Sequence, residues 1–559
     1  MSKFIRPFSI CLCLFVFSCT LSAQDNAEFF IGFSDKNGST YSTSNPTAFL
    51  TTRSITRRVN QGIRIQQNDL PVNQWYIDSV AKTGVKILNR SKWLNGISID
   101  TSGHPGALTK ILSFPFVISD KSLGIKVLNK DTTERIKNRQ SKFGTPGIIA
   151  TSSTGSFGSS LNQASMLGDD CLQSQGYKGE GMVIAILDGG FYMADVLPAF
   201  DSLWTNKQIL GTRDFSNQGG NVFDNATPHG MEVLSTMGGY LDGQLIGTAP
   251  KASYWLLRSE VVASENIIEE FNWVAAAEFA DSVGADIISS SLGYSTFDNP
   301  AQNHTYADMN GRTAMSSIGA VRAAEKGMLV VVSAGNDGDD SWHYIDTPAD
   351  ADSILTVGAV DQNGVYASFS STGPTFDKRI KPTIAAQGEN SIVASVAGGI
   401  TSGDGTSFSA PIAAGTAACL WQANPGKTNM QVLNAIVRTG SQASRPDSLE
   451  GYGIPNMCSA NLLLGGYEIS LFKTDNLILA YPNPFESNIT LAFYSLDSQT
   501  VDIQLFDIRG RRITEETKEV NTNSLNYFTL STIQILERGM YVLNIRTSSK
   551  NYYRKLIKN

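Results

Sequence analysis

The stretch Met182-Val183-Ile184-Ala185-Ile186-Leu187-Asp188-Gly189-Gly190 indicates the fold class of this chain. A continuous apolar run that ends in a glycine turn is typical of a strand buried on both faces, as in a parallel sheet covered by helices. Similar runs follow at residues 285–289 and 328–332, and a helical pattern at 267–283 precedes the first of them. The sequence therefore predicts an α/β core with a doubly wound, mostly parallel sheet over residues 161–465.

A smaller unit, residues 24–128, precedes this core. Its strand and helix patterns alternate, with strands at 29–33, 85–88 and 96–99 and helices at 71–81 and 107–112. The first of these helices is expected to bury Trp75, Ile77 and Val80. Alternating elements of this size predict a small α+β domain.

Residues 129–160 differ from both neighbouring units. They are rich in Ser, Thr, Gly, Lys and Arg and show little periodicity. This composition is typical of an exposed linker, where proteolytic cleavage concentrates. We therefore expect maturation cleavage within 129–160.

The last unit, residues 470–559, has a different pattern again. Val501-Asp502-Ile503-Gln504-Leu505-Phe506-Asp507 alternates apolar with polar residues, and so does Tyr541-Val542-Leu543-Asn544-Ile545. Runs of this kind, separated by Gly, Asn and Ser turns, predict a small antiparallel β-sandwich.

The N-terminus has the features of a secretory signal peptide, residues 1–23. Lys3 and Arg6 provide the positive start, residues 10–16 form the apolar centre, and Leu21-Ser22-Ala23 is a small-residue exit with cleavage expected before Gln24. A less favoured alternative is a lipoprotein-type cleavage site at Val16-Phe17-Ser18-Cys19. No other segment is long and apolar enough to span a membrane, so none is expected in the mature chain.

Composition narrows the function classes. A formal charge of -7 argues against a nucleic-acid partner, which normally requires a basic face. Beyond the signal peptide, Cys171, Cys419 and Cys458 remain, and none has C-x-x-C spacing, so no zinc site is expected. Because their number is odd, at least one stays unpaired or pairs between chains; one disulfide is allowed, but the sequence does not assign it.

Acyl transfer by a hydroxyl group needs a serine, a base beside it and a carboxylate that orients the base. The base is the scarcest group, because the chain has four histidines. His104 lies outside the α/β core, and His304 and His343 stand in polar, loop-like stretches and are expected to be surface or loop histidines. His229 differs, because Pro228-His229-Gly230 opens a helical stretch at 231–237.

The other candidate groups lie next to predicted elements of the core. Asp188 ends the first apolar strand. Functional residues of parallel α/β sheets project from the carboxyl ends of the strands. Ser407 comes just before a small-residue helix at 412–420, close to a positive helix N-terminus. Asn336 follows the strand at 328–332 and could donate a side-chain N–H to an oxyanion. Taken singly, an Asp-Gly turn, an N-cap serine and a turn asparagine would also explain them.

Four segments together resemble the motifs of the subtilisin-like serine proteases, the subtilases. They are Val183 through Gly190, His229-Gly230, Ser333-Ala334-Gly335-Asn336 and Gly405-Thr406-Ser407-Phe408-Ser409-Ala410-Pro411, in that family's order Asp, His, Ser. The resemblance implies that Ser407 is the nucleophile, His229 the base and Asp188 its orienting partner. It also implies an oxyanion hole formed by Asn336 and the Ser407 backbone N–H.

The same resemblance implies a substrate-binding edge strand at Ser291, Leu292 and Gly293. There are two departures from the family pattern: Gly189 stands where Thr or Ser is usual, and Met231-Glu232 stand where Thr and often His are usual. The resemblance implies no required cofactor and no catalytic metal. It allows structural calcium, for which no acidic ligand loop stands out in the sequence.

The flanking units resemble known accessory domains. Residues 24–128 resemble a subtilase propeptide, which assists folding and blocks the active site until it is cleaved. The C-terminal unit resembles the sorting domain of Bacteroidetes type IX secretion substrates, through Tyr481-Pro482-Asn483-Pro484-Phe485, Ile508-Arg509-Gly510, Gly539-Met540-Tyr541-Val542 and Lys555-Leu556-Ile557-Lys558. An accessory β-sandwich, such as a glycan-binding one, is the alternative.

Together these features predict a secreted or cell-surface serine endopeptidase, made as a self-processing proenzyme and carried across the outer membrane. Its expected partners are protein or peptide substrates, its own propeptide and the type IX secretion machinery. Two alternatives stay open: a catalytically inactive subtilase-fold protein that acts in binding or adhesion, and an enzyme whose only substrate is its own linker.

Overall fold

The computed structural model describes most of the chain. The described residues are 27–125, 145–146, 157–466, 478–481, 483–486, 489–495, 499–520, 524–530, 536–548 and 550–559. The predicted signal peptide and most of the predicted linker lie outside these residues. Four regions can therefore be described: an N-terminal domain, a short paired segment, a large α/β domain and a C-terminal β domain.

The α/β domain is built on a seven-stranded sheet in which every strand pairs in parallel with its neighbours. In spatial order the strands are β14 (Ile384–Gln387), β13 (Leu355–Val360), β12 (Leu329–Ser333), β11 (Ile287–Ser290), β6 (Val183–Asp188), β10 (Ser253–Arg258) and β7 (Ile209–Asp214). The strand predicted from the stretch that begins at Met182 is β6, next to the point where the strand order changes direction. The predicted doubly wound fold is confirmed.

Both faces of this sheet are buried, as the continuous apolar runs require. In β6, Ile184 and Ile186 join the core on one face, while Val183, Ala185 and Leu187 join the core on the other. The helices of the domain are α4 (Leu161–Ser165), α5 (Asp169–Ser174), α6 (Asp201–Thr205), α7 (His229–Gly238), α8 (Ile268–Val283), α9 (Met315–Glu325), α10 (Thr406–Ala423), α11 (Asn429–Arg438) and α12 (Met457–Leu464).

The N-terminal domain is an antiparallel sheet in the order β2-β3-β1-β4, packed with helices. Its elements are β1 (Ala27–Phe33), β2 (Lys86–Ser91), β3 (Gly96–Asp100), β4 (Val117–Ile125), α1 (Thr52–Asn60), α2 (Gln74–Ala81) and α3 (Ala107–Leu112). The α+β prediction is confirmed, and the sequence reasoning missed α1 and β4. The predicted burial of Trp75 is wrong: Ile77 and Val80 are buried, but Trp75 is 62% exposed.

The N-terminal domain packs on helix α8 through a cluster of buried ions. Asp281 lies 2.6 Å from Arg57, 2.9 Å from Arg58 and 2.9 Å from Lys92. In the same interface, Glu278 accepts hydrogen bonds from the backbone N–H groups of Lys92, at 2.7 Å, and of the following residue. The contact is therefore specific in charge and geometry.

Shorter strands complete the α/β domain. They are β5 (Thr145–Pro146), β8 (Tyr240–Leu241), β9 (Leu245–Ile246), β15 (Ser391–Ala394) and β16 (Ile400–Asp404). The strand β5, which belongs to the predicted linker, pairs antiparallel with Gly403 and Asp404 of β16. This described part of the linker thus pairs with residues that directly precede α10.

The C-terminal domain consists of two antiparallel sheets, which confirms the predicted β-sandwich. The sheets are β17 (Ile478–Tyr481), β18 (Ile489–Ser495) and β21 (Ser524–Leu530), and β20 (Arg512–Val520), β19 (Gln499–Asp507), β22 (Gly539–Arg546) and β23 (Asn551–Lys558). Two parts of the sorting motif meet here: Asn483 donates to the Lys555 carbonyl at 2.8 Å and accepts from the Ile557 N–H at 2.9 Å.

The structure also shows how the cysteines pair and whether any helix could span a membrane. A disulfide joins Cys171 to Cys458, which are 287 residues apart, and Cys419 is buried as a free thiol. Within the described ranges, none of the helices combines the length and the apolar character that a membrane span requires.

Candidate active site

Asp188 and His229 meet at the carboxyl end of the sheet. Asp188 is the last residue of β6 and His229 the first residue of α7, and both are buried. The Nδ1 atom of His229 lies 2.9 Å from Oδ1 and 3.0 Å from Oδ2 of Asp188. The Asp188 carboxylate also accepts the Gly189 N–H at 2.7 Å. This geometry lets the carboxylate hold the ring with a proton on Nδ1.

The close approach of β6 and α7 explains the glycine that follows His229. The Gly230 N–H donates to the Gly190 carbonyl at 2.9 Å. A Cβ at position 230 would lie 2.4 Å from that carbonyl oxygen and 3.0 Å from Cγ of Asp188. Since such contacts are too short for a side chain, glycine is required for the histidine to reach the carboxylate.

Ser407 is the second residue of α10 and is buried. The helix begins at Thr406, with Gly405 in the N-cap position, so Ser407 lies inside the first turn and is not the N-cap residue. The Phe408 ring, next along the chain, lies 6.0 Å from the His229 ring, measured between centroids. Ser407 is thus placed at a positive helix N-terminus, and its neighbour Phe408 lies near the histidine ring.

Asn336 is held by the first residue of the same helix. Its Oδ1 atom accepts hydrogen bonds from the Thr406 N–H at 2.8 Å and from the Thr406 hydroxyl at 3.0 Å. The Gly335 N–H donates to that hydroxyl at 3.2 Å. Because these two hydrogen bonds hold the Oδ1 atom of the Asn336 amide, its Nδ2 donor points away from Thr406. Thr406 thus fixes the orientation of the Asn336 amide, a contact that its place in the serine motif does not reveal.

The predicted substrate segment continues directly from the end of β11. The Ser291 hydroxyl donates to the main-chain carbonyl of Ser407 at 2.8 Å, which ties this segment to α10. The Leu292 side chain packs in the hydrophobic core, so only its backbone could serve an extended peptide. Gly293 is partly exposed, and the next residue, Tyr294, forms a β-bridge with Thr347.

The two departures from the family pattern leave the Asp188–His229 contact in place. Gly189 contributes its backbone N–H, which any residue could supply. Glu232 lies one turn into α7 and is partly buried. The pKa of Glu232 is raised to about 6, mainly by burial; the charge of His229 lowers it and that of Asp188 raises it. Glu232 is thus an acidic group near the pair that the sequence reasoning recorded only as a departure.

The remaining histidines lie away from this cluster. His343 is exposed in a loop, as expected. His304 is in a loop, but its side chain is only 7% exposed and its Nε2 atom lies 2.5 Å from Glu270. His304 is therefore a loop histidine, as the expectation of a surface or loop position allowed, with a largely buried side chain. The partner, on α8, is too distant in sequence to have been foreseen.

One acidic group in the described part of the chain has the spacing of a cation site. Carboxylate oxygens of Glu260, Glu265 and Glu269 lie within 4.8 Å of one another. Oxygen ligands of this type suit calcium, although such clusters also occur without an ion. Glu269 also accepts the Val261 N–H at 2.9 Å. The expectation that structural calcium is allowed but no cofactor is required stays a prediction.

A parallel sheet with an Asp–His pair at its carboxyl edge and a serine at a helix N-terminus resembles the arrangement of a serine-hydrolase site. Comparison with known proteins then identifies the family. Residues 179–453 match the subtilase family, residues 28–142 match a peptidase S8 propeptide domain of Bacteroidota, and residues 479–559 match a secretion-system C-terminal sorting domain. The chain belongs to the subtilase family.

Individual relatives and a solved structure are similar to parts of this chain. Subtilisin DY of Bacillus licheniformis is 30% identical over 276 residues, which cover 49% of this chain and 88% of that protein. Subtilisin E of Bacillus subtilis is 29% identical over 48% of this chain; the chain spans 63% of its length. The crystal structure of MycP1 from Mycobacterium smegmatis overlaps 57% of this chain and 88% of that chain, with 22% identity and a TM-score of 0.43.

Proposed function

We propose that this chain is a secreted serine endopeptidase that hydrolyses peptide bonds through Asp188, His229 and Ser407. The observation that carries the proposal is the contact of 2.9 Å between the His229 Nδ1 and Asp188, at the edge of the sheet next to the first turn of α10. Family membership supports it, because the residues fall within the matched subtilase segment.

In the proposed reaction, the Ser407 Oγ attacks the scissile carbonyl and forms an acyl-enzyme. His229 accepts the serine proton and then returns it to the leaving amine. Asp188 fixes the ring and stabilises the imidazolium. The Asn336 side chain and the Ser407 N–H donate to the oxyanion; loss of one such donor typically costs about 100- to 1000-fold in rate. Water then hydrolyses the acyl-enzyme, with His229 as the base.

The N-terminal domain fits a propeptide that is made with the enzyme and bound to it. Its match to the S8 propeptide domain and its buried ion cluster with Asp281 support this role. In the proposal, cleavage within 129–160 separates the propeptide from the enzyme, and the cleaved propeptide inhibits until it dissociates.

Export supports the same function. The sorting domain match indicates delivery by a secretion system, which we propose to be type IX, to the cell surface or the medium. The disulfide between Cys171 and Cys458 is consistent with an oxidising compartment.

The test compares the wild-type chain with Ser407→Ala and with Ser341→Ala, an exposed serine of the same domain as control. Casein hydrolysis and the size of the purified chain are followed. We expect the wild type and Ser341→Ala to degrade casein and to shorten, while Ser407→Ala stays full length and inactive.

Three outcomes would separate the alternatives. Equal activity of Ser407→Ala would show that Ser407 is not the nucleophile. Self-cleavage without casein hydrolysis would favour an enzyme whose only substrate is its own linker. A wild type with neither activity would favour a binding or adhesion protein.

A further inference from the structure

Asp346 places a buried carboxyl between the predicted substrate segment, which ends at Gly293, and the segment that leads to Asn336. A Cβ at Gly293 would lie 2.9 Å from its Oδ2 atom, and a Cβ at Gly335 would lie 2.7 Å from it. The Asp346 N–H also donates to the Ala334 carbonyl at 3.2 Å. The carboxyl therefore lies against the proposed substrate strand on one side and against the residue before Asn336 on the other.

One acceptor atom of this carboxyl is left open by the described residues. Asp346 is 7% exposed, and its Oδ1 atom has no hydrogen-bond partner among the described residues. Its side chain is hydrogen-bonded to Asp337, the residue directly after Asn336. A buried carboxyl with an open acceptor, paired with a second carboxyl, is unstable as an anion unless a cation approaches it.

The surroundings of the pair are acidic. Burial, and then the charge of Asp337, raise the pKa of Asp346 well above its ordinary value; Glu265 acts in the same direction, and a Ser295 hydrogen bond opposes them. Burial raises the pKa of Asp337 to about 6, with Asp339 and Asp340 adding to the effect and the hydrogen bond to Asp346 opposing it. The neighbouring charges that act most strongly on the two carboxyls are thus negative.

Resting on the proposed function, we propose that Asp346 and Asp337 recognise a lysine or arginine side chain on the residue that contributes the attacked carbonyl. The attacked carbonyl of the substrate would lie at Asn336. The side chain of the substrate residue that carries this carbonyl would then enter between Gly293 and Gly335 of the enzyme. A guanidinium or ammonium group supplies the donors and the positive charge that the two carboxyls lack. The specificity of the enzyme is therefore for cleavage after basic residues.

The predicted linker of the chain itself contains such residues. Five basic residues stand in the first half of 129–160 and none in the second half: Lys130, Arg135, Lys137, Arg139 and Lys142. The propeptide match ends at residue 142, and residues 145–146 pair with Gly403 and Asp404, just before α10. A preference for basic residues would thus direct self-cleavage to the end of the propeptide.

The test measures kcat/KM for peptides that differ only at this position, with Arg, Lys, Gln or Leu. The wild type is compared with Asp346→Asn, with Asp337→Asn and with Asp352→Asn, an exposed aspartate of the same domain as control. For each variant, the ratio of kcat/KM for the Arg peptide to that for the Leu peptide is taken within one preparation, so a partly misfolded fraction cancels. The Gln peptide, which is long and polar but uncharged, separates the effect of charge from that of size.

We expect the wild type and Asp352→Asn to prefer Arg and Lys over Gln and Leu. The Arg/Leu ratio should fall about 10- to 100-fold in Asp346→Asn and to a smaller extent in Asp337→Asn, which loses a charged acceptor further from the glycines. In the wild type the ratio should rise with pH through about 6, because Asp337 ionises there.

Two results would overturn the inference. A wild type that cleaves the Leu peptide as well as the Arg peptide, or an Arg/Leu ratio that Asp346→Asn leaves unchanged, contradicts basic specificity while the proposed function stands. A wild type that cleaves no peptide contradicts the proposed function and this inference with it. Adding EDTA should not change the ratio; a ratio that depends on calcium would assign the carboxyls to a metal instead.

Discussion

At the scale of single residues, Thr406 connects two parts of the proposed site. Its N–H and hydroxyl both reach Asn336, and its hydroxyl also bonds with the Gly335 backbone. Thr406 does not touch a reacting atom, so its effect on catalysis would pass through the position of Asn336. It should therefore affect the stabilisation of the transition state more than substrate binding.

We predict that Thr406→Val lowers kcat about 10-fold and leaves KM within about two-fold, since the Thr406 N–H still holds Asn336 but the hydroxyl is lost. Thr406→Ser keeps the hydroxyl and should restore most of kcat. Steady-state kinetics on one peptide substrate measure both values. If Thr406→Ser is as slow as Thr406→Val, the hydroxyl alone does not restore kcat, and the prediction is contradicted.

Glu232 gives a prediction for stability against pH. Its pKa is raised from 4.5 to about 6 in the folded chain, so the folded state binds a proton that the unfolded state releases. Stability from this group is complete below about pH 4.5 and falls as pH rises through about 6. Glu232→Gln removes this fall and should gain about 1–2 kcal/mol of unfolding free energy at pH 8 relative to pH 4. Urea unfolding of both chains at the two pH values measures it; an equal difference at both would contradict the prediction.

Some residues of the site could be read from the sequence, and others could not. Asp188, His229, Asn336 and Ser407 stand in local motifs beside strands or helices, which is why pattern reasoning singled them out. The roles of Thr406, Glu232 and Asp346 depend on contacts between distant segments. Asp346 in particular lies in a stretch without regular periodicity, and only the fold places it against Gly293 and Gly335.

At the scale of elements, helix α1 shows that a helix rich in charged residues can be missed by apolar periodicity. Its sequence Thr-Arg-Ser-Ile-Thr-Arg-Arg-Val-Asn has three arginines and no apolar stripe, so periodicity did not predict a helix. In the structure Arg57 and Arg58 are buried against Asp281 of α8. The partner that makes the burial favourable belongs to another domain, more than 200 residues away, and no local pattern reveals it.

We predict that Arg57→Gln weakens the bound propeptide about 100-fold or more, because removing one partner of a buried ion pair costs about 3–5 kcal/mol. Arg53 lies on the same helix and pairs with Asp286, but its side chain is 42% exposed. Arg53→Gln should therefore change the affinity by less than about five-fold. Each variant is made as the full chain and allowed to cleave itself. The inhibition constant of the cleaved propeptide then gives the change in affinity for each substitution. Equal effects of the two changes would contradict the role of the buried cluster.

Elements with strong periodicity were predicted well. The strand at β6, the helix at α8 and the alternating strands of the C-terminal domain follow from apolar runs and alternation. The helix α2 was found, but Trp75 was placed in its core; Tyr76 is buried instead and stacks on Phe116 at 4.3 Å between ring centroids. A short helix with two adjacent aromatics does not specify which one faces inward.

At the scale of the whole molecule, the order of the domains along the chain is the one expected of an exported proenzyme. A propeptide domain precedes the subtilase domain, and a sorting domain follows it. The disulfide links α5, near the beginning of the α/β domain, to α12, near its end. The sequence supplied the candidate cysteines, but the pairing required the fold, because the two residues are separated by 287 positions.

The central claim is that Ser407 is an activated nucleophile in the folded chain. The most direct measurement is labelling of the self-processed wild type with a fluorophosphonate, followed by mass spectrometry of the modified peptide. We predict a single adduct on Ser407 that disappears in Asp188→Asn, in Ser407→Ala and after unfolding in urea, because the serine reacts only when His229 and Asp188 activate it. No adduct, or an adduct on another serine, would contradict the account.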